Sequence, residues 1–199
     1  MGYDMTTERI DEGEAERVAE LRKKLYAAWD RRKGAERDSD EYNQAQADAD
    51  ALQKEMAKAE KSYFRLNVWG MSMAINMMHT LGMIDIETTH PEWPDHKAFD
   101  VSDEQWNEWD WEITESTPQS LRDYHAAHEA VIGHKPELVT GICVFKFGSN
   151  DGWLVTPEEI ETALAKAPNA AFAHPDVTWW FEWIAWLGYC KDRGGFRVH

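Results

Sequence analysis

The sequence predicts an α+β fold that is mostly helical, with an N-terminal antiparallel helical hairpin and a small antiparallel sheet near the C-terminus. Two seams of apolar residues at coiled-coil spacing predict the hairpin. A run of branched and aromatic residues over 139–147 predicts a strand, and helix start signals lie on both sides of it. At 199 residues, the chain is long enough for one globular domain with an appendage. We therefore assign residues 1–62 to a hairpin arm and residues 63–199 to an α+β globular domain.

The arm consists of two predicted helices whose apolar residues alternate three and four positions apart. The first seam lies within residues 10–33, and the second runs over residues 42–63. Ser39 or Asp38 can cap the second helix by accepting its free backbone amides. Because the second seam contains three alanines, it buries little area and needs a further surface. That surface is the rest of this chain, a second copy in a homo-oligomer, or a partner.

The region after the arm contains three predicted helices. Residues 68–81 are apolar on nearly all sides, so this helix is expected at the centre of the core. Ser102 to Gln105 form a capping box that begins a short helix. Thr117 and Pro118 begin another. The apolar residues of the first helix form two stripes: Trp69, Met73 and Met77, and Met71, Ile75 and Met78.

The C-terminal third predicts a hairpin followed by two helices and a last strand. Residues 139–147 are the first strand, Asn150-Asp151-Gly152 supply turn residues, and residues 153–155 return. Thr156 then caps a helix that has Pro157 in its first position. The last helix is expected to begin around Asp176 to Thr178 and to stop at Gly194-Gly195, before a strand over 196–198.

The negative charge is concentrated in the middle of the chain. The formal net charge is −16, and residues 84–137 contain 14 Asp and Glu against three Lys and Arg. Such a surface repels phosphate backbones, so direct nucleic-acid binding is not expected. A basic protein partner is favoured instead. The alternative is that the acidity only keeps the protein soluble.

The predicted compartment is the cytoplasm. Cys143 and Cys190 both lie in apolar runs, and the N-terminal residues lack the apolar core of a signal peptide. The uncharged stretch 66–84 is interrupted by asparagine, histidine and glycine, which favours a core helix over a membrane span. We expect no association with a membrane.

The first candidate site is an acidic segment rich in tryptophan. Tryptophan is enriched at binding hot spots, and a rim of acids around it suits a basic partner. The alternative is that the indoles only close a helix onto the core. The candidate partner-binding residues are Trp106, Trp109 and Trp111 with Glu108, Asp110 and Glu112.

The second candidate site is the turn before residue 153. A lysine, an aspartate and amide groups beside an indole could bind a small polar ligand such as a nucleotide or a metabolite. The alternative is that the turn residues bond their own backbone while the indole packs in the core. The candidate ligand-binding residues are Lys146, Ser149, Asn150, Asp151 and Trp153.

Signatures of catalysis and of metal binding are weak throughout the sequence. His125 and His128 are three residues apart on a predicted helix and His134 follows its end, which is a spacing that can share a metal ion. The first two lie on or beside an apolar stripe, where a histidine more often packs with one nitrogen bonded to a carbonyl. Neither a His-Glu-x-x-His motif nor a Gly-x-Ser-x-Gly motif occurs. We therefore predict no catalytic residue, no bound metal and no cofactor.

One segment carries a resemblance. Lys-Phe-x-Ser-Asn-Asp-Gly-Trp at 146–153, with residues 63–71 before it and 194–198 after it, resembles uncharacterised proteins of actinobacteria and their phages. The resemblance covers residues 63–199 and implies no known activity. It implies a source, for which inhibition or sequestration of a host factor is a natural role. The leading hypothesis is thus a non-enzymatic binding protein, and the alternative is a small-ligand binding protein or enzyme that uses the turn.

Overall fold

The computed structural model describes residues 2–167 and 178–199 and confirms a mostly helical α+β fold. In these residues the helices are α1 (Glu12–Gly34), α2 (Asp40–Ala59), α3 (Val68–Thr80), α4 (Asp103–Glu108), α5 (Gln119–Ile132), α6 (Pro157–Lys166) and α7 (Thr178–Lys191). The strands are β1 (Gly2–Thr7), β2 (Tyr63–Asn67), β3 (Ile84–Asp85), β4 (Ile142–Cys143), β5 (Trp153–Val155) and β6 (Phe196–Val198). The predicted start of the last helix before Thr178 lies outside the described residues.

The main sheet is antiparallel and joins both ends of the described chain. Its four strands lie in the order β2-β1-β6-β5. Met5 of β1 pairs with Phe64 of β2 on one side and with Val198 of β6 on the other. The pairing of β5 with β6 agrees with the predicted C-terminal sheet. By contrast, β1 was not predicted, and residues 63–67 form a strand where the sequence suggested the end of a helical seam.

The predicted hairpin over residues 139–155 is wrong. Within 139–147 only Ile142 and Cys143 are strand residues, and they pair in parallel with β3. The next four residues form a 3₁₀ turn, and β5 pairs with β6 rather than with β4. The reason is a tertiary interaction, since the side chain of Lys146 turns into the core and bonds to Glu159 of α6.

The core lies between the main sheet and helices α3, α6 and α7. Met71, Ala74 and Met78 bury one face of α3 against it. The opposite face is open, because Trp69 is 80% exposed and Met73 is 48% exposed. The prediction of a central α3 therefore holds for one face only. In the described part of the chain, α3 and every other helix is too short or too polar to cross a membrane.

The arm is an antiparallel pair of helices, as predicted. Arg17 of α1 bonds Glu55 near the end of α2, while Arg31 near the end of α1 bonds Asp48. Ser39 caps α2 by accepting a hydrogen bond from its third residue. The residues before the arm are part of the main sheet, so the protruding arm corresponds to α1 and α2 alone.

Candidate functional site: an aromatic cleft

A cleft of about 730 Å³ lies where the acidic segment, α5 and the turn before β5 meet. Both candidate sites and two of the predicted histidines contribute to it. Its lining includes Trp93, His96, Trp106, Trp111, Tyr124, His125, His128, Glu129 and Asp151. Residues that are far apart in the sequence therefore share one concave surface, which is the usual shape of a ligand site.

Five rings form one continuous side of this cleft, which we call the aromatic wall: Trp93, His128, Trp111, Trp106 and His96. Each ring contacts the next in that order. The successive centroid distances are 4.9, 4.7, 5.0 and 5.1 Å. Trp93 and Trp111 each keep 39% of their surface exposed, so the wall is open to solvent.

A small local core holds the acidic segment in place. Ser102 and Gln105 form the predicted capping box at the start of α4. Trp106 then packs on a buried cluster that contains Val101, Leu121 and Tyr124. This cluster is separate from the main core, so the Trp106 end of the wall has its own support.

Trp111 has an unusual backbone conformation. Its φ is +67°, in the left-handed region that a bulky residue rarely adopts. Its indole stacks on Trp109 at 4.8 Å, and Trp109 donates from Nε1 to the carbonyl of Glu112. Strained residues are concentrated at binding and catalytic sites, where the surrounding structure maintains them.

Two carboxylates also line the cleft: Asp151 in the turn before β5 and Glu129 on α5. Asp151 accepts a hydrogen bond from the hydroxyl of Ser149 through Oδ2. Glu129 accepts one from Arg197 through Oε2, at 3.2 Å. Among the described residues, the second oxygen of each carboxylate has no hydrogen-bond donor. The cleft therefore offers open acceptors beside exposed aromatic surface.

His128, one of the five rings of the wall, is partly buried and favours its neutral form. Burial lowers the pKa of His128, and the neighbouring His125 acts in the same direction, while Glu129 and Asp151 oppose the shift. Its Nδ1 is buried and lacks a hydrogen-bond partner in the described residues. At neutral pH this imidazole thus adds no positive charge to the cleft.

The predicted partner-binding residues divide into two groups. Trp106 and Trp111 line the cleft, whereas Trp109 lies behind Trp111 and packs on the small local core. The three acids are exposed outside the lining: Glu108, Asp110 and Glu112. Trp106 and Trp109 thus close the helix onto a small core, as one interpretation had it, whereas binding of a partner by these residues stays a prediction.

The predicted ligand-binding residues also separate. Asp151 lines the cleft, and Trp153 packs behind Trp93 at 4.9 Å. Ser149 accepts the indole N–H of Trp153. Asn150 points elsewhere and donates to the carbonyl of Gly2 in β1.

Lys146 has a structural position rather than a surface one. It has no exposed surface, and its Nζ donates to Glu159 at 2.7 Å and to the carbonyls of His134 and Leu154 at 2.8 and 2.6 Å. Since an ammonium group has three donors, all of them are satisfied.

Glu159, the partner of this lysine, is equally saturated. Its Oε1 accepts the backbone N–H of Cys143, and its Oε2 accepts that of Thr156 as well as Lys146. We refer to Lys146, Glu159 and Thr156 as the polar core cluster. It connects β4, β5 and α6 within the fold.

Metal binding and nucleophilic catalysis by cysteine have little support in the described residues. Across 2–167 and 178–199, no group of three His, Cys, Asp or Glu side chains could hold a metal ion. His125 and His128 line the cleft, and His134 contributes its carbonyl to Lys146. Burial raises the pKa of Cys143 to about 12, so its thiol is a poor nucleophile.

Several residues of the cleft were not predicted from the sequence. Trp93, Tyr124 and Glu129 were absent from the candidate site residues. Trp93 lies in a loop with two prolines and two histidines, a composition that could have singled it out. Glu129 follows His128 on α5 and had no distinguishing local pattern.

Comparison with known proteins adds no relative. The chain matches no protein-family model, and no curated protein or solved structure is significantly similar to it.

Proposed function

We propose that this chain is a non-enzymatic cytoplasmic protein that binds a basic protein partner through the aromatic cleft and the acidic segment beside it. The single observation that supports this most is the aromatic wall. Partly exposed tryptophans in a concave site are typical of binding hot spots. They lie within residues 84–137, which contain 14 acidic and three basic residues. This negative charge favours a cationic partner over nucleic acid.

The resemblance to proteins of actinobacteria and their phages extends the proposal. A phage-encoded chain of this kind would inhibit or sequester a basic host factor. The arm would assist by forming a homo-oligomer, because Tyr26 on its surface is 55% exposed and lies beside Trp29. These roles rest on the binding function and do not require catalysis.

The proposal is tested by capture of a partner with tryptophan variants. The immobilised chain is exposed to an actinobacterial lysate at low and high salt, and bound proteins are identified by mass spectrometry. We expect the wild type to retain a basic protein that elutes with salt. Trp93→Ala with Trp111→Ala should lose it, because the exposed part of the wall is removed.

Trp69→Ala is the matched control, since the indole of Trp69 is more exposed than that of Trp93 or Trp111 but lies on α3, outside the cleft. Circular dichroism establishes that each variant is folded. Retention of the partner by the double variant, or its loss with Trp69→Ala alone, would contradict the proposal.

A small-ligand function is the second candidate, because the cleft volume of about 730 Å³ falls within the usual range for small-molecule sites. The ligand would use Asp151 and the wall, with the remaining turn residues in support. Native mass spectrometry of the freshly purified protein distinguishes the candidates and reports the number of copies. A bound nucleotide or metabolite favours the second candidate, whereas an unliganded mass favours the first.

A further inference from the structure

The spacing of the aromatic wall restricts how a ligand can lie against it. Neighbouring rings are in direct contact, with centroids 4.7 to 5.1 Å apart. No group fits between them, so a ligand must lie on the surfaces that Trp93 and Trp111 leave exposed. A planar group can stack there, whereas a rounded quaternary ammonium is bound best when several ring faces enclose it.

The carboxylates that line the cleft also restrict the ligand. Glu129 and Asp151 each present an oxygen without a donor in the described part of the chain. Arg197 already bonds the other oxygen of Glu129, so a guanidinium is accepted at this carboxylate within the fold itself. The cleft thus favours a cationic ligand that donates hydrogen bonds to these carboxylates.

We infer that the cleft binds an arginine side chain of the basic partner, with the guanidinium stacked on the exposed indoles of Trp93 and Trp111 and donating to Glu129 and Asp151. This inference rests on the proposed function and names the group that the cleft recognises. Arginine combines a planar, weakly hydrated cation with five donors, which lysine lacks. The cleft volume leaves room for the residues on either side of that arginine.

The experiment uses N-acetyl-arginine methylamide as the probe and the indole N–H signals of the 15N-labelled protein as the readout. Variants in which one tryptophan is replaced by phenylalanine assign the signals of Trp93 and Trp111. We expect both signals to shift saturably at millimolar probe. N-acetyl-citrulline methylamide has the same shape without charge, and N-acetyl-lysine methylamide has the charge without the planar group. Both should bind about tenfold more weakly.

Carboxylate variants test the second half of the inference. Glu129→Gln with Asp151→Asn should weaken binding of the arginine probe about tenfold, because a charge-assisted hydrogen bond is about twice as strong as a neutral one. Glu16→Gln with Asp30→Asn removes the same charge from exposed positions on α1, outside the cleft and the acidic segment, and should leave the affinity within about twofold.

The outcomes separate this inference from the proposed function. Equal binding of the citrulline or lysine probe, or no shift at Trp93 and Trp111, overturns the inference even if the cleft is needed to capture a partner. Binding of the arginine probe together with capture that does not depend on the cleft supports recognition of arginine and overturns the proposed function.

Discussion

The polar core cluster and the aromatic cleft each contain a carboxylate that bonds a cationic side chain, yet they differ in how fully their polar groups are bonded within the fold. Lys146 and Glu159 have no exposed surface, and the three donors of Lys146 and both oxygens of Glu159 all form hydrogen bonds inside the chain. Asp151 lies only five positions after Lys146 but lines an open cleft. Among the described residues, only one of its two carboxylate oxygens accepts a hydrogen bond. The difference distinguishes a structural polar group from one that is available to a ligand.

This comparison is useful because the sequence places the two kinds of residue side by side. Lys146 and Asp151 belong to one segment and are both of a type found in binding sites. Only the count of satisfied hydrogen bonds separates them, since buried polar groups must be paired within the fold. Stability and binding should therefore respond to different substitutions, and three measurements of decreasing expected size test this.

The largest effect is expected for Lys146→Met. The change removes the cation and leaves Glu159 buried without its charge partner, which costs about 3–5 kcal/mol of unfolding free energy. Denaturant unfolding followed by circular dichroism measures the loss. Asp151→Asn is the matched control in the cleft and should change the unfolding free energy by about 0.5 kcal/mol or less. Similar losses for the two variants would remove the distinction between the regions.

An intermediate effect is expected at Trp111. Because its φ is +67°, glycine should release backbone strain that alanine retains. Trp111→Gly should be more stable than Trp111→Ala by about 1 kcal/mol, although both remove the same indole from the wall. Thermal unfolding of the two variants gives the difference. If alanine is the more stable replacement, the strain assigned to this residue is incorrect.

The smallest effect is the pH dependence that His128 contributes. Since burial lowers its pKa in the folded state, the unfolded chain binds more protons, and stability falls as the pH drops below the unfolded value of about 6.5. Between pH 7.5 and 5.5, the melting temperature of the wild type should fall more than that of His128→Gln. Glu129, Asp151 and His125 face residue 128 in both proteins. The difference between the two proteins in how steeply the melting temperature changes with pH therefore reports the contribution of His128 alone. Parallel slopes would show that His128 is not held neutral.

The helices were predictable where local chemistry determines them. Ser39, Ser102 and Thr156 each cap a helix as the sequence indicated, because a cap involves residues only three positions apart. The sheet was less predictable, since β1 pairs with strands that are distant in the sequence. Its alternating Tyr3 and Met5 were a detectable but short pattern.

The candidate site was predictable in parts but not as a whole. Trp106, Trp111, His128 and Asp151 were each identified from their own neighbourhood. Their meeting at one cleft depends on how α5 packs beside the turn before β5, and no local pattern reports this. The burial of Lys146 was hidden for the same reason, because its partner Glu159 is selected by the tertiary fold.

The position of β1 between β2 and β6 has a consequence for how the chain folds during synthesis. β1 can pair with β2 soon after the arm is made, but its other edge has no partner until β6 emerges. Contacts of such long sequence separation form slowly, and the unpaired edge can join another chain in the meantime. A nascent chain that ends before β6 should therefore aggregate, while the arm helices, whose contacts are local, should already be folded.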